Sequence, residues 1–168
     1  MSALRLNLGC GPVKMEGWVN VDFDESVHPD LVADIRHLPL DDGVADSLFA
    51  SHVLEHFGWD EPVLEEWHRV LKSGGEIVVI VPDIIGVHRL WKEGAGWGEA
   101  NTPVDLAYVN ATAFGAHLLG PQWADASHTH RQIFVEDMLV ERMRPLFPDA
   151  HEIRSRSIGE TGVMGRKP

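Results

Sequence analysis

The stretch that decides the fold is Leu6-Asn7-Leu8-Gly9-Cys10-Gly11-Pro12, with Val19-Asn20-Val21-Asp22 following within a dozen residues. A short apolar run that stops at Gly-x-Gly reads as a buried parallel strand turning sharply at its carboxyl end. Glycines in such a turn let a ligand approach the backbone where any Cβ would stand. An aspartate closing the next strand is placed to accept hydrogen bonds from a ribose diol. Strand, glycine turn, strand and acid together describe a holder for a nucleoside.

The spacing narrows which nucleoside. A dinucleotide fingerprint needs G-x-G-x-x-G, its last glycine opening a helix whose N-terminus faces a pyrophosphate. Here Pro12 follows Gly11 directly, no glycine stands at the third position, and the second strand begins too soon for a full helix. The phosphate cradle is missing. A nucleoside without phosphates fits better, which favours S-adenosylmethionine over NAD or FAD.

Working outward, the expected strands are 4–8, 18–23, 31–34, 47–51 and 76–81, each short, apolar and bounded by Gly, Pro or Asp. Between the last two, Val63, Leu64, Trp67, Val70 and Leu71 recur at helical spacing. This predicts a crossover helix over 60–72 with Asp60 as its cap, Gly74-Gly75 as its stop and Trp67 in the core. The first two crossovers, 12–17 and 24–30, are far shorter than the dozen residues a parallel connection normally takes. One side of the sheet is therefore expected to be thinly covered, by later helices or by a second copy in a homo-oligomer. Beyond residue 81 the pattern predicts helices over 83–93, 104–119 and 135–146, a glycine-rich break at 94–98 and a closing hairpin of 151–157 with 162–166. The expected fold is a single α/β domain, 1–168. Its sheet is Rossmann-like, doubly wound and mostly parallel, with shortened first crossovers and a C-terminal antiparallel hairpin.

A chain of 168 residues holds one core and no separate substrate domain. Its formal net charge of −12 argues against nucleic acid as partner, because phosphate binding depends on Lys and Arg. No run approaches the roughly 20 apolar residues of a membrane span. The start of the chain enters a strand at once, unlike a signal peptide. The single cysteine, Cys10, excludes an internal disulfide framework and suits the cytoplasm. It reads as a small residue in a tight turn rather than a catalytic thiol.

With these motifs in order, the chain resembles the small class I S-adenosylmethionine-dependent methyltransferases over roughly its first half. Residues 6–11 look like the family's first motif and Asp22 like its ribose-binding acid. Ala33-Asp34-Ile35 resembles the adenine-binding turn, and Ser51-His52-Val53-Leu54-Glu55-His56 the exit of the fourth strand. The resemblance implies a cofactor site of Asn7, Gly9, Cys10, Gly11, Asp22, Phe23, Asp34, Ile35, Ser51 and His52. Within it Asp22 would hold the ribose hydroxyls, Asp34 the adenine amine and the Ile35 amide a ring nitrogen.

Methyl transfer from a sulfonium is an in-line displacement that mainly needs alignment and exclusion of water. A base helps only where the acceptor must lose a proton, as a hydroxyl must. His130, in Ser127-His128-Thr129-His130-Arg131, and His52 are the candidate bases. Metal sites need three or four ligands of defined geometry, and the candidate sets (His128-x-His130 with His117, or His52 with His56) show only pairs, so no metal is expected. His56 reads as packing on the core or capping a turn. The Asp/Asn-Pro-Pro-Tyr tetrapeptide of amino-group methylation and the Pro-Cys nucleophile of cytosine methylation are both missing. The expected acceptor is a small molecule or glycan, methylated on a hydroxyl, under a lid formed by 94–131 with Trp97, Phe114 and Trp123. The competing readings are a catalytically silent cofactor-binding subunit and a nucleotide-sugar or NAD-binding protein.

Overall fold

A computed structural model describes residues 3–97, 102–103, 109, 129–135, 137–153 and 159–168. Five parallel strands carry its first half: β1 (Arg5–Leu8), β2 (Val19–Asp22), β3 (Leu31–Val32), β4 (Ala45–Ser51) and β5 (Leu71–Pro82). A two-stranded ribbon, β6 (Gly96–Trp97) and β7 (Thr102–Pro103), stands apart. Two further strands, β8 (His151–Ile153) and β9 (Glu160–Arg166), close the sheet antiparallel. Its order is β3-β2-β1-β4-β5-β9-β8. The chain leaves β1 toward β2 on one side and returns to β4 on the other. That reversal creates the crevice at the strand carboxyl ends where open α/β sheets bind ligands.

Side chains alternate across the sheet, and its two faces differ. One carries Leu6, Leu8, Val21, Leu48, Ala50, Ile77, Val79 and Val163, all buried. They share a core with Val63, Leu64, Trp67 and Val70 of helix α1 (Val63–Val70) and with Leu139, Val140 and Met143 of a short helix, Met138–Met143. Along the opposite face Asn7, Phe49, Val78 and Met164 stand in register. Of these, Phe49, Val78 and Met164 are only half-buried. The thin cover expected from the short crossovers lies there.

What replaces the missing crossover helices is a polar network. Asn20, buried in β2, accepts from Asn7 Nδ2 at 3.0 Å and from the Met15 amide at 2.8 Å. Its own Nδ2 donates to Asp30 Oδ2 at 2.7 Å and to the carbonyls of Met15 and Trp18. The first crossover is thus tied to β1 and β2, and the second to β2 through Asp30. Asp24 caps a single 3-10 turn, Glu25–Val27, within that second connection.

Several boundaries differ from the sequence expectations. β3 stops at Val32, because Asp34 turns the chain by accepting the Arg36 amide. Pro62, not Asp60, takes the N-cap position of α1, and Leu71 is already extended, so Gly74 and Gly75 fall inside β5. Helix α2 (Ile84–Glu93) is as expected, capped by Asp83 and ended by Gly94 in the left-handed region. The third expected helix shrinks to Met138–Met143: Phe134 bridges to Asp83, and Pro145 has no amide to continue the ladder. Residues 104–119, apart from 109, and most of the proposed lid, 94–131, lie outside the described residues. Among the described residues, no helix is long and apolar enough to cross a membrane.

Candidate active site

The glycine turn after β1 is left-handed at both glycines, with φ of 64° at Gly9 and 51° at Gly11. The two serve different ends. A Cβ on Gly9 would stand 2.5 Å from Val53 Cγ2, so the space it leaves is filled by the protein itself. The sequence reading gave that space to the ligand, and the packing of Val53 corrects it. A Cβ on Gly11 would meet nothing within 4 Å. Gly11 leaves its Cβ position open.

Asp22 closes β2 beside it, buried, with Oδ2 accepting the Gly11 amide at 2.8 Å and Oδ1 accepting the Asp24 amide at 3.0 Å. Each carboxylate oxygen has a second lone pair, so these backbone donors orient Asp22 and leave it able to accept from a diol. Cys10 donates its amide to the Val21 carbonyl, and its buried thiol is pushed above the ordinary range by desolvation. It is a turn residue. A cavity of about 390 Å³ opens at this edge, lined among others by Gly9, Cys10, Met15, Phe49, Ser51, His52 and Glu160.

The remaining expected cofactor residues divide. Asn7 lines the cavity, but its Nδ2 is spent on Asn20 and the Val13 carbonyl, so its first task is to hold the crossover. Phe23 is exposed beside Asp22 and offers a ring face at the sheet edge. Asp34 is clamped by Arg36, whose Nε and Nη2 lie 3.0 Å and 2.7 Å from its oxygens. That guanidinium holds its carboxyl below the usual range. Contact with an adenine amine must share Asp34 with Arg36. Ile35 is buried, and its carbonyl accepts Trp67 Nε1 at 3.0 Å, which fixes the turn.

At the exit of β4 the backbone is strained. His52 has φ of 55°, a conformation that residues other than glycine rarely adopt. Its amide donates to the Ile80 carbonyl, and its Nε2 lies 2.9 Å from Glu160 Oε1. Its Nδ1 lies 3.8 Å from Glu55 Oε1, and His130 Nε2 lies 3.9 Å from the same oxygen. Burial works against charge on His52, but the hydrogen bond to Glu160 and the charge of Glu55 outweigh it and raise its pKa. Burial pushes the Glu55 carboxyl up to about 7, with His52 pulling the other way.

A strap delivers His130 to this cluster. The amides of Arg131 and Gln132 both donate to the Glu55 carbonyl, at 2.8 and 3.1 Å. Gln132 Nε2 donates to the Phe57 carbonyl and Arg142 Nη1 to Gln132 Oε1, while Arg142 lies 4.5 Å above the Trp59 ring. Sequence reasoning did not select Glu55 or Glu160. Glu55 sits in an otherwise apolar Val53-Leu54 run, and Glu160 fell in the gap between the two hairpin strands. The retrievable signal for Glu55 was a carboxylate flanked by histidines where a strand enters the ligand crevice.

Residues 6–79 match the family described as Methyltransferase domain. No curated protein sequence matches the chain. Among solved structures, a S-adenosylmethionine-dependent methyltransferase from Methanosarcina mazei aligns with a TM-score of 0.65 at 17% identity, covering 99% of this chain and 93% of that one. A Thermotoga maritima methyltransferase, described as a possible histamine N-methyltransferase, aligns at 0.59 and 14%, covering 100% and 83%. A possible exported protein from Bordetella parapertussis aligns at 0.60 and 14%, and this chain covers only 62% of its length. Fold, glycine turn and strand-end acid together define a Rossmann-like nucleoside-binding enzyme. The first half of the chain matches a methyltransferase domain, and the fold is that of S-adenosylmethionine-dependent methyltransferases, for which S-adenosylmethionine is the methyl donor.

Proposed function

We propose that this methyltransferase acts on a hydroxyl of a small molecule or glycan, with His130 and His52 handling the proton the acceptor loses. The cofactor, when bound, supplies an electrophilic methyl on a positively charged sulfur that is already a good leaving group. Asp22 would hold its ribose with the Gly11 backbone beside it, and the chain would align the acceptor at the exit of β4 and exclude water. The observation that carries the reading is the line of groups leading away from the cavity. His52 lines the cavity, Glu55 Oε1 lies 3.8 Å from its Nδ1, and His130 Nε2 lies 3.9 Å beyond. Such a line can accept a proton and spread the resulting charge.

The missing amino-group and cytosine motifs and the net charge of −12 support an acceptor other than nucleic acid. The same reading makes 1–168 one domain, with 94–131 as lid and acceptor pocket. It places the enzyme in the cytoplasm, a compartment suited to its free, buried Cys10.

Turnover of labelled S-adenosylmethionine across a panel of hydroxyl, amine and carboxylate acceptors tests the proposal. Transfer to hydroxyls is expected, and His130→Ala should lower it by about a hundredfold with S-adenosylhomocysteine affinity unchanged. Full activity in that variant removes His130 from the chemistry. Cofactor binding with no transfer to any acceptor favours the silent subunit.

A further inference from the structure

We infer that Glu55, His56 and His130 form a binding site for a divalent transition-metal ion of the zinc type. Each offers one donor atom, and the three atoms lie within 4.8 Å of one another. They come from the exit of β4 and from the strap, brought together by the backbone bonds from Arg131 and Gln132 to the Glu55 carbonyl. A tetrahedral ion bound at about 2.0–2.1 Å sets its ligand atoms roughly 3.4 Å apart. The 3.9 Å between Glu55 Oε1 and His130 Nε2 needs only a small closure to meet that.

The observation that points to a ligand is Glu55 itself. Its side chain is 2% exposed, and neither carboxylate oxygen accepts a hydrogen bond from a described residue. A buried carboxylate in that state is costly unless something positive sits on it. Titratable groups face it: His52 on one side, His130 on the other, with Glu160 beyond His52. Those imidazoles stop 3.8–3.9 Å from it, beyond hydrogen-bonding distance. An ion between the donors would satisfy it.

The histidine chemistry agrees. His56 Nδ1 faces the Thr129 carbonyl at 3.3 Å, and a carbonyl can only accept, so the proton belongs on Nδ1 and the lone pair on Nε2. Metal-bound histidines are oriented by this kind of bond from the opposite ring nitrogen, which makes Thr129 a positioning residue. Two imidazoles and one carboxylate favour zinc and its first-row neighbours over magnesium or calcium, which take oxygen ligands. Three protein ligands leave a fourth position open. That the open position faces the acceptor hydroxyl rests on the function proposed above, whereas the binding of the ion does not. There the ion would act as a Lewis acid on the hydroxyl oxygen with His130 as its ligand, and the proton would pass to His52 alone.

Chelator-treated full-length protein titrated calorimetrically with Zn²⁺, and in parallel with Co²⁺ followed by visible absorption, tests the site. One equivalent should bind. Glu55→Gln, which fills the same volume without the charge, should weaken binding by more than the roughly 10–100-fold that losing a second-shell partner costs. His56→Ala should do the same. Circular dichroism and S-adenosylhomocysteine affinity, unchanged in both, separate loss of the site from loss of fold. If Glu55→Gln fails to fold, His56→Ala decides. No stoichiometric binding to the wild type, or equal affinity in the folded variants, overturns the inference. A wild type that binds no metal yet methylates hydroxyls would refute the ion and leave the proposed function standing.

Discussion

At the scale of single residues, the two glycines of the first turn make opposite predictions. Gly9→Ala drives a methyl into Val53 and should lower the melting temperature, with Val53→Ala restoring part of the loss. Gly11→Ala meets open space, so its stability cost is limited to the left-handed backbone, about 1–2 kcal/mol. Its cofactor affinity should fall much further than its stability. Thermal melts set beside S-adenosylhomocysteine titrations decide both, and equal behaviour of the two variants would contradict the division. Asp22 belongs to the same argument. Asp22→Ala removes the ribose acceptor and also releases the Gly11 and Asp24 amides, so binding should be lost. Asp22→Asn keeps one acceptor oxygen and should retain part of it.

At the scale of elements, the sequence showed which connections were short but not what would hold them. Hydrophobic periodicity marks helices and strands, and the Asn7–Asn20–Asp30 network has no period. Asn20→Ala strands buried donors and acceptors of both crossovers and should cost at least about 1–3 kcal/mol in chemical denaturation. Helix α1 was legible from its apolar stripe, while its start was not, because Pro62 displaced the expected aspartate cap. The outer face of α1 adds a pH dependence. Glu66 accepts from Arg69 at 2.7 Å and from the Leu38 amide at 2.7 Å, and the Arg69 bonds lower its pKa. A lowered folded-state pKa gives stability that is present above the unfolded glutamate value of about 4.3 and lost as pH falls through the folded value. Glu66→Gln should therefore be less stable near neutrality and lose less on acidification. Denaturation midpoints at several pH values check this, and parallel curves would contradict it.

For the whole molecule, fold class and cofactor class were readable because local motifs encode them: a glycine turn, a strand-end acid and the fourth-strand exit lie within short windows. The histidine–carboxylate cluster was not, since Glu55 and His130 stand 75 positions apart in the chain and the cluster depends on the strap docking at the Glu55 carbonyl. The sequence offered pairs of histidines, and folding supplied the third donor. The central claim remains that the carboxyl edge of β1, β2 and β4 holds S-adenosylmethionine through Gly11 and Asp22. Calorimetric titration of the wild-type chain with S-adenosylhomocysteine, and separately with NAD, tests it most directly. Saturable one-to-one binding of S-adenosylhomocysteine and none of NAD is the expected result. No binding of S-adenosylhomocysteine, or saturable binding of NAD in its place, would contradict it.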